Sequence, residues 1–297
     1  MVFHPPVSIV AKAGDAGKYK VGLPAWNLLI RGFMAGAYIA MGGALATVCS
    51  TGITYSADAI KAGAVAGGFA SAGMAQLVLG AVFPVGLIII VLTGAELFTG
   101  DAMLAPMAAF IHKVSWAQVI NVWIWVYIGN LIGSIIFAYI MAYGPFVSFD
   151  STGAATVTAF GTRAIAIASA KVSYVGMLGM WSAFLKAIAC NWLVNLAILL
   201  GICADDLVGK FFGIWFPIMA FVSSGFEHSV ANMYFIPAGI LTQGFITDPT
   251  KINAGLTWVT MWTNNLIIVT IGNIVGGLFF VGVIYWVAFK KEIAALK

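Results

Sequence analysis

The stretch Gly225-Phe226-Glu227-His228-Ser229-Val230-Ala231-Asn232 places a carboxylate, an imidazole and an amide within eight residues. Its flanks, residues 211–222 and 233–241, are apolar enough to lie in hydrocarbon. An ionisable side chain at that depth is expensive unless it faces a partner or a polar path, so the stretch marks a route for something small. His228 carries the one side-chain type whose reference pKa, about 6.5, permits proton exchange near neutrality. Neutral, it offers one donor to an anion; protonated, it offers a charge. A second cluster, Gly94-Ala95-Glu96-Leu97-Phe98-Thr99-Gly100-Asp101, adds the Thr99 hydroxyl, which donates or accepts. Thr99 and His228 are therefore the expected centre. Glu96 and Glu227 would repel an anion, and their expected role is to accept N–H bonds from irregular backbone. Asp101 and Asn232 are expected to do similar work. Asn130 and Asn273, in paired Gly-Asn-x-x-Gly contexts, are placed to bridge helices or to brace the two clusters.

Apolar membrane crossings must position these residues. The 297-residue chain is 62% hydrophobic and 8% charged, with a mean hydropathy of +1.03. A soluble domain carries about a quarter charged residues, so a water-exposed surface cannot be covered here. The net charge of +4 is scattered, with Lys and Arg single except at Lys290-Lys291. That distribution gives no nucleic-acid footprint. Cys49, Cys190 and Cys203 lie in or near apolar runs without metal-ligand spacing or a disulfide framework. No phosphate-binding loop ending in Lys-Ser/Thr occurs. Neither an enzyme, a cofactor nor a bound metal is expected.

Crossing about 30 Å of hydrocarbon takes roughly 20 residues. Suitable runs lie near 28–50, 65–93, 117–143, 176–204, 211–241 and 259–288. The second continues past a polar interruption at 94–101 into 102–111, and the fifth is interrupted at 225–232. Residues 1–27 read as a tail without a signal peptide's apolar core. With the N-terminus inside, the inner face receives Lys12, Lys18, Lys20, Lys113, Lys210, Lys290, Lys291 and Lys297. The outer face receives Lys61, Arg163, Lys171 and Lys251. That bias predicts a multi-pass protein of the cell membrane with both termini cytoplasmic and 145–170 as an external connection.

The halves repeat. Asn121-Val-Trp-Ile-Trp-Val-Tyr-Ile-Gly129-Asn130-Leu-Ile-Gly133 returns 143 positions later as Asn264-Asn-Leu-Ile-Ile-Val-Thr-Ile-Gly272-Asn273-Ile-Val-Gly276. Gly94-Ala-Glu96 returns as Gly225-Phe-Glu227, and Phe83-Pro84 as Phe216-Pro217. Three spans per half is odd, so successive halves enter from opposite faces. The predicted fold is all-α: six transmembrane helices in a 3+3 inverted repeat (28–143 and 176–288) with helices 2 and 5 broken. Broken helices at matching positions mark a transport path. Backbone irregular at this depth must be covered by protein or line a cavity. The restarting helices present N–H groups and positive dipole ends that stabilise an anion. Arg31 and Lys186 occupy corresponding places near span starts, where Arg31 is expected to snorkel to the interface. Lys171, before the fourth span, is placed to raise local anion concentration at a vestibule.

The motifs Leu92-Thr-Gly-Ala-Glu-Leu-Phe-Thr99-Gly, Ala189-Cys-Asn191-Trp-Leu-Val-Asn-Leu-Ala197 and Phe216-Pro-Ile-Met-Ala-Phe221-Val-Ser-Ser-Gly-Phe-Glu-His228-Ser-Val-Ala-Asn232-Met resemble those of the formate/nitrite transporter family over nearly the whole chain. The resemblance implies a homopentamer in the bilayer with one pore per protomer and an aquaporin-like helix arrangement. It implies a pore centred on Thr99 and His228 and supported by Asn191. Phe83 and Phe221 would form the outer constriction, and Leu87, Leu97 and Phe98 the more cytoplasmic one. Lys171 matches the family's lysine before the fourth helix through its Ala-Lys-Val context, although its 20-residue distance to Asn191 is about one helical turn longer than in bacterial formate channels.

A small monovalent anion fits positive loops between greasy gates. Formate leads, with nitrite and hydrosulfide as alternatives. Donors at Thr99, His228 and the loops can replace hydration, or a proton shared near His228 can let the neutral acid cross. Sequence leaves both routes open. A neutral-solute pore for water or glycerol is the competing class; the His228 signature and missing Asn-Pro-Ala pairs argue against it.

Overall fold

The computed structural model describes residues 3–53 and 72–295. Its helices are α1 (Pro6–Val21), α2 (Ala25–Ser50), α3 (Ala72–Val82), α4 (Val85–Thr93), α5 (Phe98–Phe110), α6 (Trp116–Tyr143), α7 (Ala159–Lys171), α8 (Gly176–Cys203), α9 (Leu207–Ser223), α10 (Ser229–Gln243) and α11 (Trp258–Ala295). The protein is mostly helical, with several apolar helices able to cross a membrane. Among the described residues, α2, the Gly73–Thr93 run, α6, α8 and α11 are long and apolar enough, and α9 is a shorter apolar helix. On α6 an isoleucine stands exposed at every fourth position from Ile120 to Ile140, a stripe suited to lipid or to a neighbouring protomer. Lys61 and residues 65–71, expected on the outer face and at the start of the second span, lie outside the described residues.

Small residues let the long helices touch backbone to backbone, as membrane packing favours. A Cβ on Gly36 of α2 would stand 2.1 Å from the Asn130 carbonyl oxygen. In the other half, a Cβ on Gly276 of α11 would stand 2.4 Å from the carbonyl oxygen of Ile188 on α8. Both contacts use the repeated Gly-Asn-x-x-Gly segment.

Two segments carry more structure than their sequences announce. The expected tail contains α1, opened by Pro6 where a missing N–H is harmless and closed by Lys18 and Lys20 against the negative helix end. Its buried face of Val10, Ala13, Gly14 and Gly17 lies on α5. The connection after α6 forms an antiparallel hairpin, β1 (Val147–Phe149) with β2 (Ala155–Val157), pairing Ser148 with Thr156, and then α7. Within α11, π-turns at Trp262–Leu266 and Leu278–Val283 let one long helix change face.

Candidate functional site

Helix α4 stops because Gly94 takes a left-handed conformation, φ +78°, with its N–H on the Ile90 carbonyl 3.0 Å away. Gly225, φ +69°, follows the end of α9 in the same way. Glycine adopts this region at no steric cost. The chain then extends through Leu97 and His228, and helices restart at Phe98 and Ser229.

One asparagine holds each interruption. Asn130 Oδ1 accepts the Phe98 N–H at 2.9 Å, while its Nδ2 donates to the Glu96 carbonyl at 2.9 Å and to Gly32 of α2 at 2.8 Å. Asn273 Oδ1 accepts the Ser229 N–H at 2.8 Å, and its Nδ2 donates to the Glu227 carbonyl at 2.9 Å and to Ala187 of α8 at 2.8 Å. Each amide thus braces the loop and bridges two helices. Both are fully buried, where an unmade backbone bond costs several kcal/mol.

The restarted helices α5 and α10 point their N-termini at each other. Thr99 Oγ1 lies 2.9 Å from His228 Nε2. The Ala231 N–H donates to His228 Nδ1 at 3.0 Å. Nδ1 is therefore the unprotonated nitrogen, and this network assigns the proton to Nε2, which donates to Thr99. The Thr99 hydroxyl hydrogen remains available to a solute. A proton on Nδ1 would face the Ala231 N–H, so an imidazolium requires the cap to open. Asn191 and Asn195 donate to the Thr99 carbonyl at 3.0 and 3.1 Å, fixing α5 from α8. The His228 ring stacks on Phe221, centroids 5.7 Å apart.

A dry throat and two vestibules surround this junction. The throat is lined by Ile39, Phe83, Leu87, Leu97, Val194, Ile218, Phe221 and His228, and a water-sized sphere finds no room in it. Phe83 meets Phe221 edge-on at 5.9 Å. Each vestibule has a cavity volume of about 260 Å³; one opens beside Lys171 and the other beside Lys20. Phe83 and Phe221 close the first, Leu87 and Leu97 the second. Phe98, expected beside Leu97, differs. Its ring packs edge-on against Tyr127 at 4.9 Å and Trp123 at 6.2 Å, away from the throat. Successive helical positions diverge by about 100°, so Phe98 and Thr99 cannot both face inward.

The carboxylates do not do what their sequence context predicts. Among the described residues neither Glu96 nor Glu227 accepts a backbone N–H at its side chain; the asparagines already serve that purpose. Glu227 accepts from Lys171 Nζ at 2.7 Å, from the Tyr174 hydroxyl at 2.9 Å and from Asn232 Nδ2 at 2.7 Å. Glu96 pairs with Lys20, which also lies 3.0 Å from Asp101 Oδ1. Burial opposes the Lys20 charge, but Asp101 and Glu96 outweigh it and hold its pKa above the ordinary lysine range. Burial, aided by Glu227, raises the Tyr174 phenol, which stays a donor.

The two clusters mirror each other. Lys186 Nζ donates to the Tyr174 hydroxyl at 3.1 Å, and Arg31 Nη2 donates to the Tyr19 hydroxyl at 3.1 Å. The Glu96 N–H bonds the Arg31 carbonyl, and the Glu227 N–H bonds that of Lys186. Arg31 therefore lines the Lys20-side vestibule instead of only snorkelling. Sequence reasoning missed Lys20 and Tyr174 as site residues, although Lys20 stood in plain view within the supposed tail. It missed Asn265, which donates to the Lys171 carbonyl at 2.8 Å, despite its place beside Asn264 in the repeated segment. Ile39, Val194 and Ile218 carried no signal, because throat isoleucines read like any others.

Comparison with known proteins identifies the family. The family profile described as "Formate/nitrite transporter" matches residues 7–287. A probable formate transporter of Methanothermobacter thermautotrophicus is 41% identical over 295 residues, covering 98% of each chain. The formate channel FocA of Escherichia coli (strain K12) is 31% identical over 296 residues, covering 97% of this chain and 95% of its own. A solved pentameric formate channel with formate bound superposes with a TM-score of 0.70 at 33% identity, covering 90% of this chain and 98% of that one. With a matching profile over nearly its full length, the chain belongs to the formate/nitrite transporter family.

Proposed function

We propose that this protein passes formate across the cell membrane through a pore in each protomer of a homopentamer. The pore runs from the Lys171 vestibule, past Phe83 and Phe221, over the Thr99–His228 junction, and past Leu87 and Leu97 to the Lys20 vestibule. Six crossings in a 3+3 inverted repeat, with the second and fifth broken, generate that path. The termini and the Lys20 vestibule face the cytoplasm, as the lysine distribution favours. The single observation that carries the reading is the head-on meeting of α5 and α10 between two greasy rings. There the helix ends favour an anion, and the Thr99 hydroxyl offers it a proton-bearing donor.

Relatives named as formate channels and transporters support formate over nitrite or hydrosulfide as the principal substrate. Crossing a dry ring is costly for a bare anion. Either the junction replaces lost hydration, or the anion takes a proton and crosses as the neutral acid. Reconstituted liposomes test the reading. Formate, nitrite, hydrosulfide and glycerol are supplied in turn while internal pH is recorded. Rapid formate entry with little glycerol entry is expected, and internal pH separates the two routes. Equal glycerol and formate entry would indicate a neutral-solute pore.

A further inference from the structure

Helix α7 lines the Lys171-side vestibule with one face: Arg163, Ala166, Ile167, Ala170 and Lys171. The spacing is that of a single helical stripe, apolar between two basic ends. The ends differ in their surroundings. Lys171 at the deep end is neutralised by Glu227. Arg163 at the other end is partly buried and has no acidic partner among the described residues; its one hydrogen bond there runs from Nε to Ser50 Oγ at 3.4 Å. Ser50 is fully buried and donates its own proton to the Thr47 carbonyl at 3.3 Å, so the bond holds Arg163 at Nε, and neither Nη group has a partner among the described residues. Burial without a compensating carboxylate lowers the guanidinium's pKa from its usual value, as expected of a desolvated, unpaired cation. Among the described residues that line the vestibule, Glu227 is the one carboxylate.

We propose, on the anion-pore reading above, that Arg163 is a specificity-determining capture residue at the vestibule mouth, engaging planar two-oxygen anions through its paired Nη groups. A guanidinium fork matches a carboxylate or nitrite bidentately, whereas an ammonium or a single-atom anion gains only point-charge attraction. The eight positions from Arg163 to Lys171 correspond to about 12 Å of helix, so captured anions pass along an apolar wall towards the deeper lysine. Arg163 therefore favours formate and nitrite over hydrosulfide before the throat is reached.

The test uses the full-length protein in liposomes, with initial flux measured against concentration for formate, nitrite and hydrosulfide. Arg163→Gln is expected to raise the half-saturating formate and nitrite concentrations roughly tenfold, with maximal flux within about twofold of the original. Hydrosulfide should shift about threefold or less. Arg163→Lys, which keeps the charge without the fork, should restore hydrosulfide handling and only part of the formate affinity. Lys251→Gln, the same charge change at a 74% exposed side chain, should leave all three unchanged. Equal half-saturation in Arg163→Gln and the original, or equal shifts for all three anions, would overturn the assignment. If Arg163→Gln fails to assemble, the formate-to-hydrosulfide ratio of Arg163→Lys decides alone. If the unaltered protein passes none of these anions, the pore reading itself fails and the capture role falls with it.

Discussion

Thr99 Oγ1 and His228 Nε2 stand 2.9 Å apart across 129 positions of sequence, so their contact exists only because two half-helices end at one point. Neutral His228 donates there to Thr99, and the hydroxyl proton is left for a passing solute. Thr99→Val keeps the shape and removes that donor. Formate flux in liposomes should fall at least about tenfold, the worth of one charge-assisted hydrogen bond, while Thr99→Ser retains most of it. Undiminished flux in Thr99→Val would show that the hydroxyl does not meet the anion.

Asn130 and Asn273 carry equivalent duties, so their losses should be equivalent. Each alanine variant strands one buried N–H and one loop carbonyl, at about 1–3 kcal/mol per unmade group, and removes a bridge to a neighbouring helix. Both should lower thermal stability in detergent by similar amounts. Asn264→Ala, which removes a part-buried bond to the Val172 carbonyl and an exposed one from the Thr263 hydroxyl, should have a much smaller effect. Unequal shifts for Asn130 and Asn273 would argue against the mirrored clamps.

The repeated Gly-Asn-x-x-Gly segment exposed these clamps in the sequence because a polar amide amid apolar residues needs partners. The interruptions were legible for the same reason, through Gly94 and Gly225. The charge clusters were not. Lys20 and Tyr174 reach Glu96 and Glu227 from segments remote in sequence, and no local pattern encodes such a meeting. Phe98 reads like a gate residue by its position beside Leu97, yet helix geometry turns it to Tyr127. The throat's isoleucines and Val194 were illegible in principle, since apolar lining and apolar packing use the same residues.

The Glu227 carboxylate is buried and Lys171 pairs with it from the vestibule wall, so breaking the pair should be costly. Glu227→Ala should destabilise the folded protein by about 1–3 kcal/mol, because it takes the buried acceptor away from Lys171, Tyr174 and Asn232. The double variant Lys171→Ala with Glu227→Ala should lose less than the sum of the two single losses. A strictly additive result from denaturation in detergent would mean the pair contributes no coupling.

On the proposed reading, the apolar rings set what is excluded. Trimming Leu97 and Phe221 to alanine opens both sides of a throat that now has no room for water. Glycerol entry, expected to be negligible in the original, should then become measurable by stopped-flow light scattering. No gain in glycerol entry would place the barrier elsewhere.

Asp205, exposed beside His4, accepts from its Nε2 at 2.7 Å. That bond, with weaker attraction from Lys12 and Lys210, lowers the Asp205 pKa below the usual carboxylate value. A depressed folded pKa gives a contribution present in full above about 3.9, the unfolded value, and lost as pH falls through the folded one. The clip between residue 4 and the α8–α9 turn should therefore hold at pH 5 and loosen only in stronger acid. Amide exchange in residues 3–12 reads this directly, and Asp205→Asn should weaken the clip at neutral pH, leaving the bond from the His4 N–H to the Cys203 carbonyl. Loosening of the unaltered protein already at pH 5 would assign the clip to another group.

Formate flux through His228→Phe, in liposomes beside the unaltered protein, tests the central claim most directly. The account predicts a loss greater than about tenfold, with assembly kept because Phe fills the ring's place on Phe221, and with stability lowered by about 1–3 kcal/mol for the Ala231 N–H left without its cap. Formate flux unchanged in His228→Phe would contradict it.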